Sequence, residues 1–164
     1  MASNIPTEQL TGLTKTHLED LGVKALLAEG RPLRSAELSE TALEGARLAG
    51  DLWRQYLEES ERVFLTEDRH WDLAVRRPAG GRTVDGTIGD LLRAANVPVH
   101  MEQIIQVVSA AKGQSTERIG PAVRNLLGSR EKYVEVLPDH YAPEDWFIDT
   151  TGQEEGLVVM ENFL

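Results

Sequence analysis

Residues 26 to 38 and residues 92 to 104 spell two versions of one segment. The first reads Leu-Leu-Ala-Glu-Gly-Arg-Pro-Leu-Arg-Ser-Ala-Glu-Leu, the second Leu-Arg-Ala-Ala-Asn-Val-Pro-Val-His-Met-Glu-Gln-Ile. Pro32 falls on Pro98, Leu33 on Val99 and Leu38 on Ile104, an offset of 66. Further along the offset becomes 70. Leu52-Trp53 and Tyr56-Leu57 then fall on Ala122-Val123 and Leu126-Leu127, and His70-Trp71 falls on His140-Tyr141. Four additional residues between the second and third elements of copy two account for the change. A supersecondary unit repeated whole limits architecture more than any single motif in the chain. With 164 residues in total, each copy is a unit of roughly 60 residues, near the lower size for independent folding.

Each copy reads as the same series of elements. Thr16 and Glu19 have capping-box spacing, and Leu18, Leu21, Ala25 and Leu26 follow on one helical face, with Gly30 as the stop. Pro32-Leu33 predicts an extended link into a second helix over 35–44. The third helix is expected over 46–59, with Ala49, Leu52, Trp53 and Tyr56 as its apolar stripe. Val63 to Thr66, a turn at Glu67-Asp68, and His70 to Leu73 predict a β-hairpin. In copy two the three stripes are Ile88, Leu91, Leu92, Ala95; Met101, Ile104, Ile105, Val108; and Ile119, Ala122, Val123, Leu126. Gly120-Pro121 predicts that its third helix begins properly at Pro121. Tyr133 to Val136, a turn at Pro138-Asp139 and His140 to Ala142 give the second hairpin.

Helix, extended link, helix, helix, hairpin is the order of a winged helix. The expected fold is therefore mainly α (α+β): tandem winged helix-turn-helix domains, each of three helices plus a β-hairpin wing. The boundaries are a flexible arm over 1–13, domain 1 over 14–76, a Gly/Pro linker over 77–86 and domain 2 over 87–143. An acidic tail over 144–164 follows. In that tail Trp146-Phe147-Ile148-Asp149 and Leu157-Val158-Val159-Met160 alternate like two strands around Gly152. Two readings stay open for it: a hairpin packed on its own copy, or a strand added to a partner through Trp146, Phe147, Leu157 and Val159.

Pro98-Val99-His100-Met101-Glu102-Gln103-Ile104, with Tyr133-Val134-Glu135-Val136 and His140-Tyr141-Ala142, resembles the HARE-type helix-turn-helix family. That family includes the N-terminal domain of the RNA polymerase delta subunit. The resemblance covers 84–143 reasonably and 16–75 more loosely. Copy one has Ser39 and Ala42 where copy two has Ile105 and Val108. The resemblance implies a module of the transcription- and chromatin-associated kind. It speaks to fold more than to activity, because its motifs are core and turn positions.

Chemistry-bearing motifs are scarce. The four histidines are scattered, without a His-Glu-x-x-His pattern. His70 and His140 each precede the aromatic of a hairpin, so turn geometry is favoured over a ligand or acid–base role. The glycines at 80, 81, 86 and 89 match neither a P-loop nor a dinucleotide fingerprint, and no serine has nucleophile-elbow context. No enzyme activity, cofactor or metal is expected. With no cysteine, no signal-peptide hydrophobic run and no apolar stretch near 20 residues, a cytoplasmic protein without membrane spans is expected.

Charge bears most directly on partners. The formal charge is −10, of which residues 144–164 contribute −6 without a single Lys or Arg. Bulk acidity repels a polyanion at long range, so DNA binding needs a local basic patch. On copy one's third helix Arg47, Asp51, Arg54 and Glu58 alternate in sign and suit a self-neutralised surface. Copy two's third helix carries Arg118, Arg124 and Asn125, side chains that suit base readout and an ordinary helix surface equally. A second patch is Arg69 in the first wing with Arg76, Arg77 and Arg82 after it, four Arg against Asp72. It suits phosphates, or else a solvated linker. The leading expectation is a non-enzymatic module contacting double-stranded DNA in transcription or chromosome regulation. The alternative is a protein-interaction adaptor within a transcription or condensin-like assembly, with no direct DNA contact. A homodimer is compatible with either.

Overall fold

A computed structural model describes residues 7–43, 50–78, 81–129 and 131–147, with side chains from residue 15 onward, 50–53 excepted. The chain is mixed α+β and divides into two compact units, Met1–Ala74 and Val75–Leu164.

The first unit runs α1 (Thr7–Glu29), β1 (Leu33–Arg34), α2 (Ser35–Leu43), α3 (Gly50–Glu58), β2 (Val63–Leu65) and β3 (His70–Leu73). The second runs α4 (Val84–Ala95), β4 (Val99–His100), α5 (Met101–Lys112), α6 (Thr116–Gly128), β5 (Tyr133–Leu137) and β6 (His140–Pro143). A single turn of 3-10 helix closes each series, at Ala74–Arg76 and Glu144–Trp146. Each unit holds one antiparallel sheet in the order β1-β3-β2 or β4-β6-β5.

The repeat is legible atom by atom. Leu33 pairs with Trp71 and Val99 with Tyr141; Arg34 pairs with His70 and His100 with His140. Ala74 N donates to Arg62 O at 2.9 Å, and 70 residues on Glu144 N donates to Lys132 O at 2.7 Å. The hairpin turns carry Arg69 and Asp139 in left-handed backbone, φ 63° and 60°. The first helix of each series ends on a left-handed residue, Gly30 in one and Asn96 in the other. Their N–H groups bond Leu26 O and Leu92 O. Asn tolerates this conformation where a residue with a plain Cβ pays about 1 kcal/mol. Asn96→Ala is therefore expected to lower stability by about that amount and Asn96→Gly to leave it near wild type, read by urea denaturation.

Each core is filled by the faces the sequence marks. In the first unit Leu26, Leu33, Leu38, Leu57, Trp71 and Leu73 are buried; in the second Ile88, Leu91, Leu92, Ile104, Val123 and Leu127. Trp71 is 1% exposed, and its indole Nε1 donates to Ser35 Oγ at 2.9 Å, closing β3 onto the start of α2.

Several expectations are corrected. The arm over 1–13 is helical from Thr7, so the Thr16–Glu19 capping box lies inside α1 rather than at its start. The third helix of the first unit is described only over Gly50–Glu58, and the side chains of Ala49, Leu52 and Trp53 lie outside the described residues. Helix α6 starts at Thr116, not at Pro121, capped by Ser115, whose Oγ accepts from Arg118 N at 3.3 Å. Gly120 makes this possible, since a residue without Cβ before proline escapes the clash that normally bars helical backbone there. The α6 core stripe is Ile119, Gly120, Val123 and Leu127, while Ala122 faces out and Leu126 is half-buried.

The 77–86 linker is corrected as well. Of its residues, those from Val84 onward belong to α4, capped by Thr83 Oγ1, which accepts from Gly86 N at 2.9 Å. The stretch before it is bonded into the second unit. Lys112 Nζ donates to Arg82 O at 2.7 Å, and Val75 and Arg76 are buried.

Candidate nucleic-acid interface

Helix α6 presents a stripe opposite its core face. Arg118, Ala122, Asn125 and Ser129 are exposed on it, with Pro121 and Arg124 exposed to one side. The side chains of Arg118, Arg124 and Asn125 make no hydrogen bond or ion pair among the described residues. The Arg124 guanidinium lies back along the helix, with Nη1 3.2 Å from where a Cβ on Gly120 would stand. The contact of that would-be Cβ with Ile105 Cδ1, at 4.0 Å, is ordinary packing. Bare helix at position 120 thus gives the guanidinium a place to rest close to the α6 backbone.

The equivalent helix of the first unit differs. Arg54 Nε donates to Glu58 Oε1 at 2.8 Å, the self-pairing that the i, i+4 spacing predicts. Arg47 lies outside the described residues and Asp51 is described in backbone alone. Elsewhere in that unit Lys15 pairs with Glu59 at 3.0 Å, Arg31 with Glu37 at 3.2 Å and Arg62 with Asp20 at 2.6 Å. A cation already paired offers a phosphate little, since the internal partner must first be given up.

The second basic patch is divided between the units, Arg69 in the first and Arg76, Arg77 and Arg82 in the second. Arg76 is 4% exposed and its Nη2 donates to Gln106 Oε1 at 2.9 Å, so it serves the interior and leaves the candidate set. Arg82 Nη2 donates to Val75 O at 2.7 Å and Arg77 O at 3.1 Å, tying down the segment that leads into α4 in place of gripping an anion. Arg69 and Arg77 remain exposed. Sequence reasoning overvalued this patch because a run of arginines in a Gly/Pro segment does not reveal which carbonyls they meet.

Three of the four histidines, His70, His100 and His140, take structural positions. His70 Nδ1 lies 3.0 Å from Asp68 O and His140 Nδ1 2.8 Å from Pro138 O, the same turn contact twice. His100 caps α5, its Nδ1 accepting from Glu102 N at 3.1 Å, and its ring meets His140 edge-on at 5.1 Å. Among the described residues no group of three or more His, Cys, Asp or Glu is placed to hold a metal ion. No helix among them is long and apolar enough to cross a membrane.

One polar cluster escaped the sequence reading. Tyr133 Oη donates to Asp85 Oδ1 at 2.6 Å, and Lys132 Nζ donates to Asp85 Oδ2 at 2.6 Å. The Lys132 and Tyr133 hydrogen bonds hold the Asp85 carboxyl below its ordinary range. Burial, and then the Asp85 carboxylate, push the Tyr133 phenol well above its ordinary range. Beside the cluster lies a cavity of about 390 Å³ whose charged lining is Asp85, Asp90, Glu131, Glu144 and Asp145 against Arg93 and Lys132, a sign unsuited to phosphate.

Of the tail residues expected to bind a partner, Trp146 and Phe147 are half-buried, with Phe147 N donating to Glu144 O at 2.9 Å. Leu157 and Val159 lie outside the described residues. Compared with known protein families, curated proteins and solved structures, the chain matches none.

Proposed function

We propose that the chain is a non-enzymatic module of two tandem winged helix-turn-helix domains, and that its second unit contacts double-stranded DNA in transcription- or chromosome-associated regulation. The observation that carries this reading is the exposed face of α6, where Arg118, Arg124 and Asn125 stand without partners among the described residues. Charge distribution agrees with it. Residues 1–74 hold fourteen acids against eight bases, whereas residues 75–147 hold nine of each and the tail beyond them adds four acids. The helix order, the three-stranded sheets and the HARE-type resemblance of 84–143 support the winged-helix part. A stretch that is neutral over 75–147, with two arginines on its third helix that have no partner among the described residues, is the better candidate for a polyanion.

The test is fluorescence anisotropy of the intact chain on a labelled duplex from 50 to 200 mM salt. Each lost phosphate contact removes roughly 0.9 from the slope of log affinity against log salt. An Arg118→Ala/Arg124→Ala double variant is expected to bind more weakly with a slope shallower by at least roughly one unit. Arg54→Ala, in the first unit, is expected to bind as wild type does. A double variant with unchanged affinity and slope removes the proposal.

An adaptor role is favoured by a separate observation, the acid excess of the first unit and the internal pairing of Lys15, Arg31, Arg54 and Arg62. If it holds, the chain binds no duplex at any salt. A protein partner would then be lost on removal of residues 144–164 or on charge reversal in the first unit.

A further inference from the structure

Building on the nucleic-acid reading above, we infer a division of labour on α6: Arg118 and Asn125 read base edges in the major groove of B-form DNA, and Arg124 holds a flanking phosphate. Seven residues separate Arg118 from Asn125, almost two full turns, so the two side chains stand in line along one stripe. At about 1.5 Å per residue they are ~10.5 Å apart along the axis, close to three base-pair steps of ~3.4 Å. Between them the exposed residues nearest the stripe are Pro121 and Ala122, both short, so the helix body can approach the bases without displacing a long side chain. Arg124 lies roughly 120° round the helix from that stripe, and its guanidinium is drawn in over Gly120 rather than reaching along the stripe. That position suits the groove wall, where the phosphates are.

Residue chemistry assigns the bases. An arginine guanidinium donates to guanine O6 and N7 together, and an asparagine amide both accepts from adenine N6 and donates to N7. The occupant is a duplex by charge complementarity, because Glu117 is the one acid on α6. The hairpin does not share the contact. Glu135 and Asp139 on it are exposed and acidic, so the β5–β6 ribbon is repelled by phosphate and readout rests on the helix. The expected site is therefore compact, with a guanine and an adenine about three base pairs apart.

Selection of the intact chain against a randomised duplex pool, followed by anisotropy on the selected and a scrambled duplex, tests this. Wild type is expected to enrich a guanine and an adenine at that spacing. Arg118→Ala is expected to weaken the selected duplex about tenfold or more, lose the preference at the guanine alone, and leave the scrambled duplex nearly unaffected. Asn125→Ala should do the same at the adenine. Arg124→Ala should weaken both duplexes equally and reduce the salt slope by about one unit. All three residues are exposed, so melting temperatures unchanged from wild type confirm intact folds. Enrichment without that spacing, or an Arg118→Ala loss equal on both duplexes, overturns the inference while leaving DNA binding in place. Failure of wild type to bind any duplex overturns the underlying reading instead.

Discussion

Trp71→Ala is expected to unfold most of the first unit at room temperature. The indole is 1% exposed among Leu26, Leu33 and Leu38 of the same core, and its Nε1 bonds Ser35 Oγ at 2.9 Å. Truncating a buried tryptophan to alanine costs about 3–5 kcal/mol through lost transfer energy and the cavity left behind. Leaving Ser35 Oγ without its donor adds a smaller penalty. A unit of 74 residues or fewer rarely holds more than about 3–5 kcal/mol. The loss is then as large as the stability available. Two-dimensional amide NMR of the intact chain should show the signals of residues 15–74 collapse toward random-coil positions. Trp71→Phe keeps most of the volume and should lose only about 1–2 kcal/mol. A Trp71→Ala variant with well-dispersed signals throughout would contradict the assignment of Trp71 as the centre of that core.

Alkali is expected to unfold the second unit through its two buried tyrosines. Tyr133 is 5% and Tyr141 8% exposed. Burial raises both phenols above the ordinary 10.0, with Asp85 adding to the effect on Tyr133 and Glu135 to that on Tyr141. A group whose folded pKa lies above its unfolded value contributes stability that is complete below the unfolded value and is lost as pH rises beyond it. Above about pH 10 each tyrosine should therefore cost up to ~1.4 kcal/mol per pH unit. Tyr133→Phe should remove one share of that slope, while at pH 7 it forfeits a hydrogen bond to a charged group, about 1.5–3 kcal/mol. The acid limb has the opposite sign. Asp85 is held below its ordinary 3.8, so its contribution is complete above that value and lost as pH falls beneath it, and Asp85→Asn should flatten that limb. Denaturant midpoints measured from pH 2 to 12 check both. A Tyr133→Phe alkaline slope equal to wild type would contradict the first.

The sequence read well where one element carries its own signal. All four residues of the expected α4 stripe are buried, and so are three of the four expected on α5, where Met101 is half-buried and Val107 and Ala111 join the core, because a helix that buries one face must repeat apolar residues at 3.6-residue spacing. The hairpins, expected over 63–73 and 133–142, were legible for the same kind of reason, alternation interrupted by a turn, and the second runs one residue further, to Pro143. Helix α6 read less well. Pro121 looked like a start and Ala122 like core, yet a glycine before the proline let the helix run through, and packing on α5 rotated the buried stripe onto Gly120. That rotation is what leaves Arg118 and Asn125 facing out.

What the chain alone determined is the duplicated series of elements, the helix stop at Gly30 and the two hairpin turns, since these follow from spacing, backbone sterics and alternation within a few residues; that Asn96, Arg69 and Asp139 take left-handed backbone was seen only in the structure. What only tertiary structure decided is which charges are spoken for. Arg76 meets Gln106 thirty residues away and Tyr133 meets Asp85 forty-eight residues away, while Arg118 and Arg124 meet nothing among the described residues. Local pattern cannot select among such partners, because an ion pair or hydrogen bond forms with whatever group the packed backbone brings within about 3 Å.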